Sequence, residues 1–186
     1  MSKDRIIMHI DVNSAFLSWQ AVYNIQRGEK TDLREIPSAV GGNQADRHGI
    51  ILAKSIPAKK HGVKTGEVIW QARQKCPELV IVPPNYYLYM KCSNTLYELM
   101  KGYSPLLQRF SIDELFLDYT GLEPHFGDPV AAAHLIKDHI REELGFTVNI
   151  GISHNKLLAK IAGDLKKPDM VHTLWRSEIP AKMWPL

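Results

Sequence analysis

Between Phe110 and Asp118 two adjacent acids, Asp113 and Glu114, sit in the run Ser-Ile-Asp-Glu-Leu-Phe-Leu-Asp. Apolar Leu107 and Phe110 precede them and Leu115-Phe116-Leu117 follows, so the segment reads as strand, turn and strand with carboxylates at the tip. Charge concentrated at a sheet end is costly unless a cation shares it, and a metal ion suits that place. The chain must then fold so that a sheet presents this hairpin tip beside other polar groups. A second acid, Asp11, ends the run Arg5-Ile6-Ile7-Met8-His9-Ile10-Asp11 in the same manner. An Asp-Glu pair at a turn is by itself usually only solvated. Apolar residues on both sides and a second strand-end acid tilt this one toward metal-dependent phosphoryl transfer.

At 186 residues the chain is one large domain or two small ones. Hydrophobic and charged fractions of 45% and 23% are those of an ordinary globular protein. No run of 18 apolar residues marks a membrane span, and Met1-Ser2-Lys3-Asp4-Arg5 leads into a strand-like segment without a secretory apolar region. Cys76 and Cys92 stand in unrelated contexts, too few for a disulfide framework or a zinc site, which suggests a reducing cytoplasm. A net charge of +3 permits polyanion binding without pointing to it.

Periodicity orders the elements as mixed α/β. After the first strand, Asn13 or Ser14 can cap a helix through Trp19 and Tyr23 that ends near Gly28. A short strand over Gly49–Ala53 precedes a short helix stopped by Gly62. A helix over Val68–Lys75 is halted by Pro77, and a strand over Leu79–Val82 is closed by two prolines. A long helix carries Tyr86, Met90, Ser93, Tyr97 and Met100 on one stripe. After the acidic hairpin, Asp128-Pro129 opens a helix with Ala133, Ile136, Ile140 and Leu144 as its buried face and Gly145 past its end. A strand over Phe146–Ile152, a helix over Asn155–Lys166 and a strand over Met170–Trp175 complete the order.

Two divalent ions about 3.5–4 Å apart can clamp the attacking and leaving oxygens of an in-line displacement at phosphorus. Magnesium demands hard oxygen ligands on rigid elements. Asp11 and Asp113 could bridge both ions, Glu114 could hold the ion nearest the attacking hydroxyl, and the Val12 carbonyl could add a ligand.

The segments Ile10–Phe16 and Ser111–Asp118 resemble the Y-family translesion DNA polymerases of the polymerase IV type. Ala58-Lys59-Lys60-His61-Gly62-Val63-Lys64-Thr65-Gly66 and Gly151-Ile152-Ser153-His154-Asn155-Lys156 through Ala162 extend the likeness, so four motifs in order cover essentially the whole chain. The resemblance implies a polymerase-type palm (residues 1–22 and 82–186) with a mixed, mostly antiparallel sheet backed by helices, and small fingers (23–81). It implies template-directed addition of a deoxynucleotide to a primer 3′ end with two magnesium ions, during bypass of damaged DNA. Asp11, Asp113 and Glu114 fall on the family's metal ligands and Val12 on its carbonyl ligand. Ser14, Ala15, Phe16, Ala53, Ile56, Lys59 and Lys167 fall around the incoming nucleotide, with Phe16 as the aromatic steric gate against a 2′-hydroxyl and the lysines on the triphosphate. From the residues alone, Phe16 reads rather as a core partner of Trp19, and Lys59-Lys60 as a solvated helix face. Lys156, Lys160 and Lys166 read as solvated or as contacts to a DNA backbone.

Departures from the pattern are Ile56 where tyrosine is frequent, Lys59 where arginine is usual and Ala53 at a threonine position. Each removes a hydroxyl or a bidentate fork, so weaker nucleotide binding is expected. Family members continue through a thumb and a little finger, absent here. The chain reads as a catalytic fragment that alone grips primer–template poorly, and any sliding clamp would dock on the missing C-terminal region. The alternatives are a nucleotidyl cyclase on a similar palm, which Phe16 below the sugar disfavours, and a degenerate polymerase module kept for partner binding, which the intact acids disfavour.

Overall fold

The first apolar run forms β1 (Ile7–Val12), buried at every residue because strands flank it on both sides. In this computed structural model, which describes residues 5–42 and 49–185, contacts divide the chain into two compact units. One comprises Met1–Asn13 and Ser93–Leu186, the other Ser14–Cys92. The residues Met1–Asp4 of the expected leaderless start lie outside the described ones. Among the described residues no helix is long and apolar enough to cross a membrane.

The first unit is built on a five-stranded sheet containing β1, β5 (Leu107–Arg109), β6 (Glu114–Asp118), β7 (Val148–Ser153) and β8 (Val171–Thr173), in the order β5-β6-β1-β7-β8. All pairs are antiparallel except β7 with β8, the mixed, mostly antiparallel sheet expected. The hairpin between β5 and β6 turns at Phe110–Asp113, where the Phe110 N–H donates to the Glu114 carbonyl at 3.0 Å. Register sets rows across the sheet: Glu114, Asp11 and Asn149 in one, Phe116, His9 and Gly151 in the next. Side chains directly opposite share a face, and α7 (Lys156–Asp164) packs on this one through Ala159, which meets Ile7 and Phe116. Asn155 caps α7, its side chain accepting from the Leu158 N–H at 2.9 Å. The helix α6 (Pro129–Leu144) starts at Asp128, whose carboxylate accepts from Val130 and Ala131, and ends at Gly145 with φ 75°. Ala133, Ile136 and Ile140 are buried as expected, Leu144 is only half-buried, and Ala132 and Lys137 are buried as well.

The second unit holds β2 (Ser38–Gly41), β3 (Ile51–Lys54) and β4 (Val80–Val82) in the order β3-β2-β4. Its core gathers Ala39, Ile51, Ala58, Val63, Ile69, Ala72, Cys76 and Leu79 from these strands and from α2 (Ile56–Lys60) and α3 (Ile69–Lys75). The middle strand β2 escapes a pattern reading because four residues with Ser and Gly at the ends carry no alternation. The helix α1 (Ala15–Gln26) belongs to this unit, as does the first half of α4 (Tyr86–Met100). The contact-defined division at 13/14 and 92/93 therefore differs from the division at 22/23 and 81/82 expected from sequence. Along α4 the buried stripe is Tyr89, Ser93, Leu96 and Met100, whereas Tyr86 and Met90 are exposed. Both stripes have helical spacing and share Ser93 and Met100, but Tyr89 and Leu96 are covered where Met90 and Tyr97, each one position later, were expected.

Candidate active site

Strand pairing brings Asp11 and Glu114 directly opposite each other, and Asp113 immediately precedes β6. The Val12 N–H donates to the Asp113 carbonyl at 3.0 Å, extending the ladder to the hairpin tip. The Ser111 hydroxyl donates to the Asp113 carboxylate at 2.6 Å, which orients it within the turn. Asp11, Val12, Asp113 and Glu114 are thus gathered at one end of one sheet.

Each of the two paired acids is matched by a lysine. Lys160 on α7 donates to Glu114 Oε1 at 2.5 Å, and Lys167, just past that helix, pairs with Asp11 and, at 2.9 Å, with Asp164. Burial pushes the Asp11 carboxyl up to about 6; Lys167 opposes the shift while Glu114 and Asp113 add to it. Burial lowers the Lys167 ammonium, yet hydrogen bonds and charge from Asp11 and Asp164 outweigh it and hold it above the usual lysine range. The resemblance implies Lys167 on the triphosphate, and Lys160 reads from sequence as solvated or as a contact to a DNA backbone; neither ion pair is visible there. Their partners lie 156 and 46 positions away, so only the tertiary fold reveals them.

A buried amide network holds this end of the sheet. The Asn13 side chain donates to Asn149 Oδ1 at 3.1 Å and accepts from the Thr147 hydroxyl and the Asp169 N–H at 3.0 and 2.9 Å. The Asn149 amide donates to the carbonyls of Gly163 and Lys166 at 3.0 and 2.7 Å. The loop carrying Lys167 is therefore tied back to β7. This explains why Asn13 does not cap α1: its side chain is already committed. Ser14 takes the N-cap position with φ 47° and makes no side-chain cap bond. The left-handed backbone there turns the chain out of β1 into the helix.

Three carboxylates at one sheet end, all hard oxygen donors, with Glu114 and Asp113 adding to the cost of charging buried Asp11, are what a magnesium-class cation would relieve. Their oxygens are not drawn to one point, since Asp11 and Glu114 are turned onto lysines. Among the described residues, the group whose ligand atoms all lie within 4.8 Å of one another is instead His61, Cys76 and Glu78. There burial raises the Cys76 pKa, with a hydrogen bond to Glu78 adding to it, so the thiol stays protonated as part of the second unit's core.

Within the second unit, Phe16 stacks on Tyr89 with ring centroids 4.5 Å apart and an interplanar angle of 8°, and lies 6.2 Å from Trp19. It is half-buried, so one face packs and part stays accessible. Ala15 and Ala53 are buried, while Ser14, Ile56 and Lys59 are exposed. The Ser55 hydroxyl accepts from the Ala58 N–H at 3.1 Å and donates to the Ile36 carbonyl at 2.7 Å, fixing the start of α2 and with it Ile56 and Lys59.

Comparison with known proteins bears on this constellation. Residues 10–164 match the profile of the impB/mucB/samB family. A DNA polymerase IV of Clostridium acetobutylicum is 50% identical over 182 residues, 98% of this chain and 46% of the relative. One of Acetivibrio thermocellus is 41% identical over 182 residues, 98% of this chain and 44% of that one. Among solved structures, DinB from Sulfolobus solfataricus superposes with a TM-score of 0.80 at 30% identity, covering 94% of this chain and 49% of that one. An insertion ternary complex of Dbh DNA polymerase gives 0.80 at 29% identity, with 94% and 50% covered. The chain spans about half the length of the relatives it matches.

Proposed function

This chain belongs to the impB/mucB/samB family, and from that membership we propose that it carries the catalytic half of a Y-family translesion DNA polymerase, adding deoxynucleotides to a primer 3′ end opposite damaged template. The observation that supports this most is the row Glu114–Asp11 with Asp113 beside it, three acids on adjoining strands at one sheet end. The first unit would act as the palm and the second as the fingers.

Asp11, Asp113, Glu114 and the Val12 carbonyl would hold two magnesium ions, which supply charge stabilisation for the displacement at phosphorus and acidify the attacking hydroxyl. The rest falls to the chain's own side chains. Lys167, kept protonated beside Asp11, would exchange that carboxylate for a phosphate oxygen once a nucleotide enters. Lys59, exposed on α2, falls on a triphosphate-contacting position of the family and would supply a further point charge. The accessible part of Phe16, braced by Tyr89, would reject a ribose 2′-hydroxyl. Primer–template DNA and a deoxynucleoside triphosphate are the proposed partners, with a sliding clamp reached through a C-terminal region of the longer polymerase and a cytoplasmic site of action.

The test is magnesium-dependent primer extension by the chain joined to the remaining half of a polymerase IV relative. Asp113→Ala and Glu114→Ala should each lower incorporation on the order of 10²-fold or more. Incorporation unaffected by either substitution would refute catalysis at this site.

A further inference from the structure

His9 has no place in the chemistry so far, and its situation is odd. It lies in the middle of β1 at 1% exposure, and neither ring nitrogen has a hydrogen-bond partner among the described residues. An apolar residue would fill that place without the cost of burying two unpaired polar atoms. The ring is wedged: Phe116 tilts against it at 4.9 Å, and on α7 a Cβ at Gly163 would stand 3.3 Å from Nδ1. The polar group it faces is Glu114, whose Oε2 is 3.6 Å from Nε2. That gap is longer than a hydrogen bond, and a small rotation of the Glu114 side chain closes it.

We propose that His9 is a positioning residue for Glu114, donating from Nε2 to Oε2 and so fixing the direction in which that carboxylate presents its free lone pairs to a divalent cation. A carboxylate is acceptor-only, and Nδ1 is closed off against Gly163, so the one proton of a neutral imidazole belongs on Nε2. Lys160 grips Oε1 from the other side at 2.5 Å. Held by both oxygens, Glu114 retains lone pairs for the ion but loses the freedom to swing away from it. Outer-shell donors of this kind typically change metal affinity about 10- to 100-fold.

The role of His9 presupposes that Glu114 is a metal ligand, so the experiment separates the two. Mn2+ binding to the chain, without DNA or nucleotide, is measured by electron paramagnetic resonance for wild type, His9→Phe, His9→Gln and Glu114→Gln. His9→Phe keeps the ring volume and should raise the Mn2+ Kd about 10-fold while its melting temperature stays level or rises. His9→Gln, with an amide donor, should recover much of the affinity. Unchanged Mn2+ affinity in His9→Phe, with Glu114→Gln weakened, overturns the role of His9 alone. Unchanged affinity in Glu114→Gln overturns the metal assignment itself. Independently of any variant, 15N NMR of the wild-type imidazole should show the Nε2-protonated tautomer, shifted on adding Mg2+; a proton on Nδ1 refutes the proposal.

Discussion

Asp118 closes the strand that Glu114 opens, yet its surroundings are the reverse. Burial alone would raise its carboxyl, but the Thr120 hydroxyl and N–H donate to it and Arg5 reaches it at 2.5 Å, and together they hold it below the usual aspartate range. A carboxyl depressed in the folded state stabilises above its unfolded value, and the gain is lost as pH falls through the folded one. Arg5 is mostly exposed and contributes little, so Asp118→Asn should cost about 1 kcal/mol at pH 7 and less at about pH 3. Urea melts at the two pH values check this. At this scale the acids were legible in the sequence because their type and strand-end position are local facts. Lys160, Lys167 and His9 were not, because what they do depends on groups that only folding brings beside them.

Among the elements, the tightest fit is between β7 and α7. A Cβ on Gly151 would lie 2.0 Å from the Ala159 carbonyl oxygen and 2.3 Å from the Gly163 N, both backbone atoms that cannot yield cheaply. Gly151→Ala should therefore destabilise by roughly 3 kcal/mol, read as a lowered denaturant midpoint, and should loosen the helix that carries Lys160. Most elements could be anticipated because caps and stops are local: Asp128 before Pro129, Asn155 before α7, Gly145 after α6. The strand β2 could not, since its burial comes from neighbours on both edges rather than from its own four residues. The stripe on α4 was misplaced for a related reason. Tyr86 and Met90 are apolar enough to look buried, but only the packing decides that Tyr89 and Leu96 are the ones covered.

In the whole molecule, the second unit is one continuous stretch, Ser14–Cys92, while the first joins Met1–Asn13 to Ser93–Leu186. Local contacts close sooner than distant ones. In pulse-labelled hydrogen exchange during refolding, the amides of Ser38–Gly41 and Ile51–Lys54 should gain protection before those of Ile7–Val12. Simultaneous protection of the two sets would count against this order. The middle place of β1, paired with strands on either side more than a hundred residues downstream, has a consequence for synthesis. At about 5–20 residues per second, Asp11 leaves the ribosome several seconds before Glu114 exists. Until then β1 is an apolar strand with two open edges, a natural target for chaperones. The first of the three site acids to be made must wait for the other two.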